Sequence, residues 1–256
     1  MSKPLILVTN DDGVHAKGIN ALVQVAKTLG EVYVVAPDKP QSGMGHAITL
    51  TDPLFVNEVY IFGEDVKAWE CSGTPADCVK LAKYELLPRI PDICVSGINH
   101  GSNASINVIY SGTMSAAMEA GIEGIKAIGF SLLDYSLDAD FTDAVKFTKI
   151  IIEQVLQHGI PENTLLNVNI PKVSESPIKG FKICRQAHGK WRETFIPRES
   201  PYQKKYFWLT GEYDLMDHGD DTDIWALHNN LVSVVPIQFD LTAHHAISVL
   251  NKNWTI

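Results

Sequence analysis

With 256 residues, 45% of them hydrophobic and 20% charged, the chain can bury a large core as one α/β domain or a domain with an appendage. Its net charge of −9 at pH 7 excludes indiscriminate binding to nucleic-acid polymers, which takes a basic surface. It leaves small anionic substrates open, because a bound metal reverses the local field.

The first apolar run, residues 5–9, ends abruptly in Asn10-Asp11-Asp12-Gly13. It reads as a buried strand whose C-terminal end delivers two adjacent carboxylates into a tight turn. Residues 18–30 follow as a helix, with Ile19, Leu22, Val23, Ala26 and Leu29 at helical spacing and Gly30 as its stop. Residues 31–37 make a second buried strand, so the chain begins with a βαβ unit and parallel pairing. The loop over 38–46 then leaves a strand end and is expected near Asp11 and Asp12. Residues 48–70 alternate and carry turn signals, which predicts a β-hairpin on the sheet edge.

Thr74, Pro75 and Asp77 form a helix start, and that helix is expected to run to about Leu87. A strand over 92–96 ends in the polar loop 97–103, which carries Asn99, His100 and Asn103. Tyr110-Ser111-Gly112-Thr113 opens an alanine-rich helix. A strand over 126–131, a long helix over 141–158 and a strand over 165–171 complete a repeated β/α pattern. Beyond it the texture changes. Residues 181–214 carry Trp191, Phe195, Tyr202, Tyr206, Phe207, Trp208 and Tyr213 among charges, and are expected to form strands and a projecting arm. Residues 224–241 supply a helical turn and a strand over 231–239, and a last helix begins near Leu241. No internal repeat is found. There is no apolar run of about 18 residues and no secretory leader, which predicts a cytoplasmic protein without a membrane segment. The cysteines, Cys71, Cys78, Cys94 and Cys184, lack C-x-x-C spacing and are expected to be reduced and buried.

Adjacent carboxylates repel unless a proton or a cation separates them. Asp-Asp-Gly alone is also an ordinary turn. Position changes its meaning, since Ser42, Asn99 and Asn103 place uncharged oxygen donors at other strand ends. A hard cation takes carboxylate, amide and hydroxyl oxygens, so Asp11, Asp12, Ser42 and Asn99 are candidate ligands that leave positions open for water and substrate. Ser111-Gly112-Thr113 is either a phosphate site at a helix N-terminus or an ordinary Ser/Thr cap. His15, His46 and His100 follow the candidate loops as possible bases or phosphate contacts, and none stands out. Asp240 and His244, four apart, read as a structural pair. Tyr110 can stack on a base, although local packing is its plainer role. The chain has no Walker loop, no dinucleotide fingerprint and no G-x-S-x-G elbow. Its acids are adjacent, unlike the Asp-x-Asp of haloacid-dehalogenase-type phosphatases or the Asp-Thr-Asp of nucleoside hydrolases.

These motifs stand in an order that resembles the survival protein E family. The order is Val8-Thr9-Asn10-Asp11-Asp12-Gly13, Ala36-Pro37 with Gln41-Ser42-Gly43, Gly73 through Val79, Val95 through Gly101, and Tyr110 through Thr113. The likeness extends to Asp221-Thr222-Asp223 and to Pro236-Ile237 with Asp240-Leu241-Thr242. The resemblance implies an α/β fold, a Rossmann-like three-layer sandwich with a mostly parallel sheet plus a C-terminal β-rich arm for oligomerisation. It implies one domain over 1–256, with its core over 1–171 and its arm and tail over 172–256. The implied activity is that of a divalent-metal-dependent hydrolase, a 5′/3′-nucleotidase or acid-type phosphatase acting on nucleoside monophosphates, with one Mg²⁺ or Mn²⁺ per subunit. Carried over, the metal ligands fall on Asp11, Asp12, Ser42 and Asn99, with Asp11 and Asp12 catalytic. Substrate contacts fall on Asn10, Asn103, Ser111, Gly112 and Thr113. Homodimers or homotetramers built through the C-terminal arm are implied as well. The rival expectations are a nucleotide-sensing protein without turnover and a nucleoside hydrolase.

Overall fold

The computed structural model describes residues 3–136, 138–172 and 176–254. The boundary expected between core and arm, at 171–172, is followed at once by 173–175, which lie outside the described residues, as do the first two and last two residues of the expected domain.

The first apolar run forms β1 (Leu5–Thr9), all five residues buried. It lies inside the sheet, paired in parallel with β2 (Glu31–Pro37) on one side. On the other side it pairs in parallel with the strand Ile93–His100. Between β1 and β2 the chain crosses over through α1 (Lys17–Lys27), which buries the predicted stripe Ile19, Leu22, Val23 and Ala26. β3 (Val56–Glu58) and β4 (Lys67–Cys71) follow. They form the predicted antiparallel pair at the sheet edge, although far shorter than 48–70, and β4 also pairs in parallel with β2. Residues 48–55 instead run as a loop over the start of α2 (Pro75–Leu81), where Thr49 N–H and hydroxyl both donate to Asp77. Thr74 and Asp77 cap that helix reciprocally with Pro75 in the first turn, and wider turns over Ala82–Leu86 extend it close to the expected Leu87.

The strand Ile93–His100 is β5, and α3 (Gly112–Ile122), β6 (Ala127–Leu132), α4 (Thr142–His158) and β7 (Leu165–Ile170) continue the β/α series. After β8 (Phe181–Ile183) come β9 (Gly189–Glu199), β10 (Lys205–Leu215), α5 (Asp223–His228), β11 (Val232–Ile237) and α6 (His244–Asn253). The main sheet runs β3-β4-β2-β1-β5-β6-β7-β11-β8, parallel except where β3 meets β4 and β11 meets β7. Successive side chains of a strand point to opposite faces, and β1 obeys this: Ile6 and Val8 join α1 and α4 in one core, while Leu7 joins α2 and α3 in the other. The result is helices on both faces of a mostly parallel sheet. Burying each such Leu, Ile or Phe contributes about 1.5–3 kcal/mol.

β9 and β10 form a separate antiparallel hairpin, registered from Gly189 opposite Leu215 to Glu199 opposite Lys205. It leaves Phe195, Phe207, Trp208 and Leu209 exposed, and it is the predicted arm. The final helix starts at His244, three residues after the expected Leu241, with Asp240 and His244 paired at 2.9 Å. α6 buries no residue of its own. All four cysteines are free and buried, and burial pushes the Cys94 thiol up to about 12.

Candidate active site

Strand order reverses direction at β1, because β2 follows it to one side and β5 lies on the other. Ligands in open α/β sheets bind at such a switch point, outside the strand carboxyl ends. Asn10 and Asp11 are buried directly beyond β1. Asn10 Nδ2 donates to Gly13 O at 2.9 Å and closes the turn. The backbone O of Asp11 accepts from Gln41 N–H at 2.7 Å, which ties the loop after β2 to the end of β1. Asp12 reaches the other way, accepting from the backbone N–H of His100 at 3.3 Å. The register of β5 against β6 slips between Ser96 and Asn99, with Gly97 at φ +124°, a conformation that suits glycine alone. Irregularities of this kind re-aim side chains at sheet ends. Beyond it, Asn99 Nδ2 donates to Gly101 O at 2.9 Å, so Oδ1 is the atom that a cation could take.

The start of α3 presses on Asp11. A Cβ at Gly112 would lie 2.6 Å from Asp11 Cβ, so only glycine lets the helix come this close. Thr113, fully buried, donates its hydroxyl to Asp11 Oδ1. Ser111 is the cap: its Oγ accepts from Met114 N–H at 3.0 Å. The two readings of Ser111-Gly112-Thr113 are therefore compatible, since a capped helix start also faces the strand ends.

A cavity of about 240 Å³ gathers Asp11, Ser42, Asn99, Asn103 and Ser111 on one lining. Asp12, Asn10, Gly112 and Thr113 stand behind it, so Thr113 and Asn10 act on the turn and on Asp11 rather than on the open space. Of the three histidines only His100 lines the cavity, its ring edge-on to Phe141. His46 instead pairs with Glu119 of α3 at 2.8 Å, and His15 lies 3.9 Å from Glu70. A larger cavity, about 550 Å³, opens by Tyr33 and Trp69 at the sheet edge and contains none of the strand-end donors.

Two buried, adjacent carboxylates repel unless a proton or a cation separates them. Burial pushes Asp11 up to about 6; the Thr113 hydrogen bond opposes this and the Asp12 charge adds to it. Burial raises Asp12 as well. Two desolvated carboxylates beside hydroxyl and amide oxygens fit a hard ion such as Mg²⁺ or Mn²⁺. Among the described residues no three His, Cys, Asp or Glu converge, which is the pattern a zinc centre would need.

Asn167 and Asn169, which the sequence reading did not single out, support the site through Asn103. Asn103 N–H donates to Asn169 Oδ1 at 2.8 Å, its Nδ2 donates to Ser131 Oγ at 2.7 Å, and its O accepts from Asn167 Nδ2 at 2.9 Å. Asn169 Nδ2 closes the network on Asn167 Oδ1 at 2.9 Å. Two asparagines in the otherwise apolar β7, Leu-Leu-Asn-Val-Asn-Ile, were the available clue. Asn107, Tyr135 and Trp191 also line the cavity.

Comparison with known proteins shows the family of the chain. The family model described as Survival protein SurE matches residues 6–193. A protein named 5′-nucleotidase SurE from Christiangramia forsetii is 62% identical over 255 residues, 99% of this chain and 98% of that one. Another of that name, from Flavobacterium psychrophilum, is 60% identical over 256 residues, 100% of this chain and 99% of that one. The crystal structure of the SurE protein from Aquifex aeolicus superposes with a TM-score of 0.84 at 40% identity, covering 97% of this chain and 99% of that one. Likeness of this extent, running from the first strand through the root of the hairpin and beyond, makes the chain a member of the survival protein SurE family.

Proposed function

We propose that this chain is a 5′-nucleotidase, a divalent-metal-dependent phosphatase that releases phosphate from nucleoside monophosphates. Its full-length relatives carry that name. The observation that carries the reading is the buried Asp11 carboxylate held against the start of α3 by Gly112 and Thr113. A carboxylate for metal and water and a helix N-terminus for phosphate are thereby fixed in one place.

Asp11, Asp12, Ser42 and Asn99 are the residues proposed to hold one Mg²⁺ or Mn²⁺ per subunit, which when bound supplies charge neutralisation and Lewis-acid polarisation. Ser111 and the first amides of α3 hold phosphate oxygens and stabilise the charge that develops on them. Phosphoryl transfer depends mainly on positioning and electrostatics. Thr113 fixes one oxygen of Asp11, and the other orients the attacking water and takes its proton. Asp12, anchored on His100 N–H, keeps the second carboxylate at the site. Asn103, clamped by Asn167 and Asn169, presents a rigid amide to the substrate.

Action at 3′ as well as 5′ phosphates, a cytoplasmic location and assembly into dimers or tetramers belong to the same proposal. No described helix is long and apolar enough to cross a membrane. The exposed aromatics of the hairpin support assembly, because an isolated two-stranded hairpin is at best marginally stable. Phosphate release from adenosine and guanosine monophosphates, with EDTA and after return of Mg²⁺ or Mn²⁺, tests the proposal. Release that EDTA abolishes and metal restores is expected. Binding without release would identify a nucleotide-sensing protein, and release of free base, without phosphate, from adenosine or guanosine in the same assay a nucleoside hydrolase.

A further inference from the structure

Of the four residues read as metal ligands, Ser42 has the least regular structure around it. Asp11 and Asp12 directly follow β1 and Asn99 lies within β5, whereas Ser42 stands exposed, five residues beyond the end of β2. The residues after it are Gly43-Met44-Gly45, and both glycines have positive φ, +73° and +58°. Glycine frees the backbone rather than fixing it, so the position of Ser42 must be set from outside the loop. We propose that Glu119 and His46 form the clamp that fixes Ser42 at the site, which makes both of them positioning residues for metal binding; the inference rests on the reading of Ser42 as a metal ligand.

The anchors of the loop give the first argument. Before Ser42, Asp38 N–H donates to Cys71 O at 2.8 Å and Gln41 N–H to Asp11 O at 2.7 Å. After it, Gly45 N–H donates to Tyr110 O at 3.2 Å, and Gly45 O accepts from Ser115 Oγ. His46 Nε2 then meets Glu119 Oε2 at 2.8 Å. Helix geometry gives the second argument. Gly112, Ser115 and Glu119 are spaced by three and four, so they share one face of α3. Gly112 presses on Asp11, Ser115 bonds to Gly45 and Glu119 holds His46. One stripe of one helix thus sets the place of Asp11 and of the Ser42 loop together.

The third argument is that the anchor is itself held. Glu119 is buried, and a buried carboxylate persists only when it is paired. Lys80 of α2 lies 2.6 Å from Oε1, which leaves Oε2 for His46. The same helix α2 ties down the exit of the loop, where the Thr74 hydroxyl, its cap, donates to Ala47 O at 2.7 Å. The fourth argument separates this role from direct chemistry. Neither His46 nor Glu119 lines the cavity at the strand ends, whereas Ser42 does, so the pair acts on the site through the loop. A ligand held ready in this way spares metal binding the entropy of ordering the loop.

The test titrates the full-length protein with Mn²⁺ and reads binding directly, from the loss of the electron paramagnetic resonance signal of the free ion. His46→Ala should raise the Kd for Mn²⁺ about tenfold, the lower end of what losing an outer partner of a metal ligand costs. At saturating Mn²⁺ its kcat on adenosine monophosphate should fall by less than the Kd rises. Ser42→Ala should raise the Kd as well, and adding His46→Ala to it should cost little more, because two changes that act through one ligand do not add. If His46→Ala does not fold, as judged by circular dichroism, Ser115→Ala, which removes the other α3 contact to the loop, takes its place in the same cycle. A folded variant that binds Mn²⁺ like the wild type, or a loss that adds in full to that of Ser42→Ala, would overturn the clamp while leaving the metal site intact. A Kd unmoved by Ser42→Ala would overturn the reading of Ser42 as a ligand, and a wild type that binds no Mn²⁺ would overturn the metal site; the clamp falls with either.

Discussion

Gly112→Ala is the sharpest probe of the site, because a single methyl group separates two possibilities. The added Cβ would lie 2.6 Å from Asp11 Cβ, 2.8 Å from Oδ2 and 3.0 Å from Cγ. Ordinary contact begins at 3.4 Å, so Asp11 and the helix start must part by 0.8 Å. Asp11 cannot swing aside freely, since Thr113 holds its carboxylate and Gln41 its backbone O. Overpacking of this kind costs about 1–3 kcal/mol. The better helix propensity of alanine returns at most about 1 kcal/mol, so the net loss of stability is small. Misplacement of a catalytic group by about 1 Å costs on the order of a hundredfold in rate. The expected variant is folded, melts within a few degrees of the wild type, and has kcat on adenosine monophosphate reduced about a hundredfold at saturating metal. A kcat within about threefold of the wild type in a folded variant would show that contact between Asp11 and α3 is not the basis of catalysis.

Thr113→Val removes the hydroxyl bonded to Asp11 and leaves a buried carboxylate oxygen without its partner, at a cost of about 1–3 kcal/mol; thermal melting and kcat should fall together. Asn169→Ala removes the acceptor of Asn103 N–H and the donor to Asn167 Oδ1, and should lower stability by a similar amount, with a rise in KM larger than the fall in kcat. Burial works to raise Glu119, but the hydrogen bonds of His46 and Lys80 more than offset it and hold its carboxyl below the ordinary 4.5. A depressed folded pKa contributes stability that is fully present above the unfolded value and lost as pH falls through the folded one. Denaturant titrations between pH 7 and pH 3 should therefore show wild type above Glu119→Gln at neutral pH, with the gap closing below about pH 4.5. A constant gap would mean that the loop carrying Ser42 is not held by this ion pair.

What could be read from the sequence was what local chemistry decides. The buried run before Asn10-Asp11-Asp12-Gly13, the Thr74 and Asp77 cap and the stripe of α1 all follow from neighbours within one or two turns. The convergence of Ser42, Asn99 and Ser111 also followed, because parallel strands deliver their carboxyl ends to one side. Features set by distant partners were not legible. His46 followed a candidate loop just as His15 and His100 did, and its partner, Glu119, lies 73 positions away. Asn103 takes its support from Asn169, 66 positions on, and Trp191 finds Asn107 across 84. The stretch 48–55 alternates like a strand but spends its polar groups on Asp77 and Ser72 instead of a ladder.

The place of β1 in the middle of the sheet also sets how the site moves. Fraying begins at edges, and β1 has parallel neighbours on both sides and helices over both faces. In hydrogen-exchange terms the amides leading to Asp11 belong to the slowest unit, open only when the whole sheet opens. The rim, with Tyr110 and Trp191 half in solvent, belongs to a faster one. The strand that ends in Asp11 is therefore expected to be the last part of the candidate site to open, and the exposed rim the first.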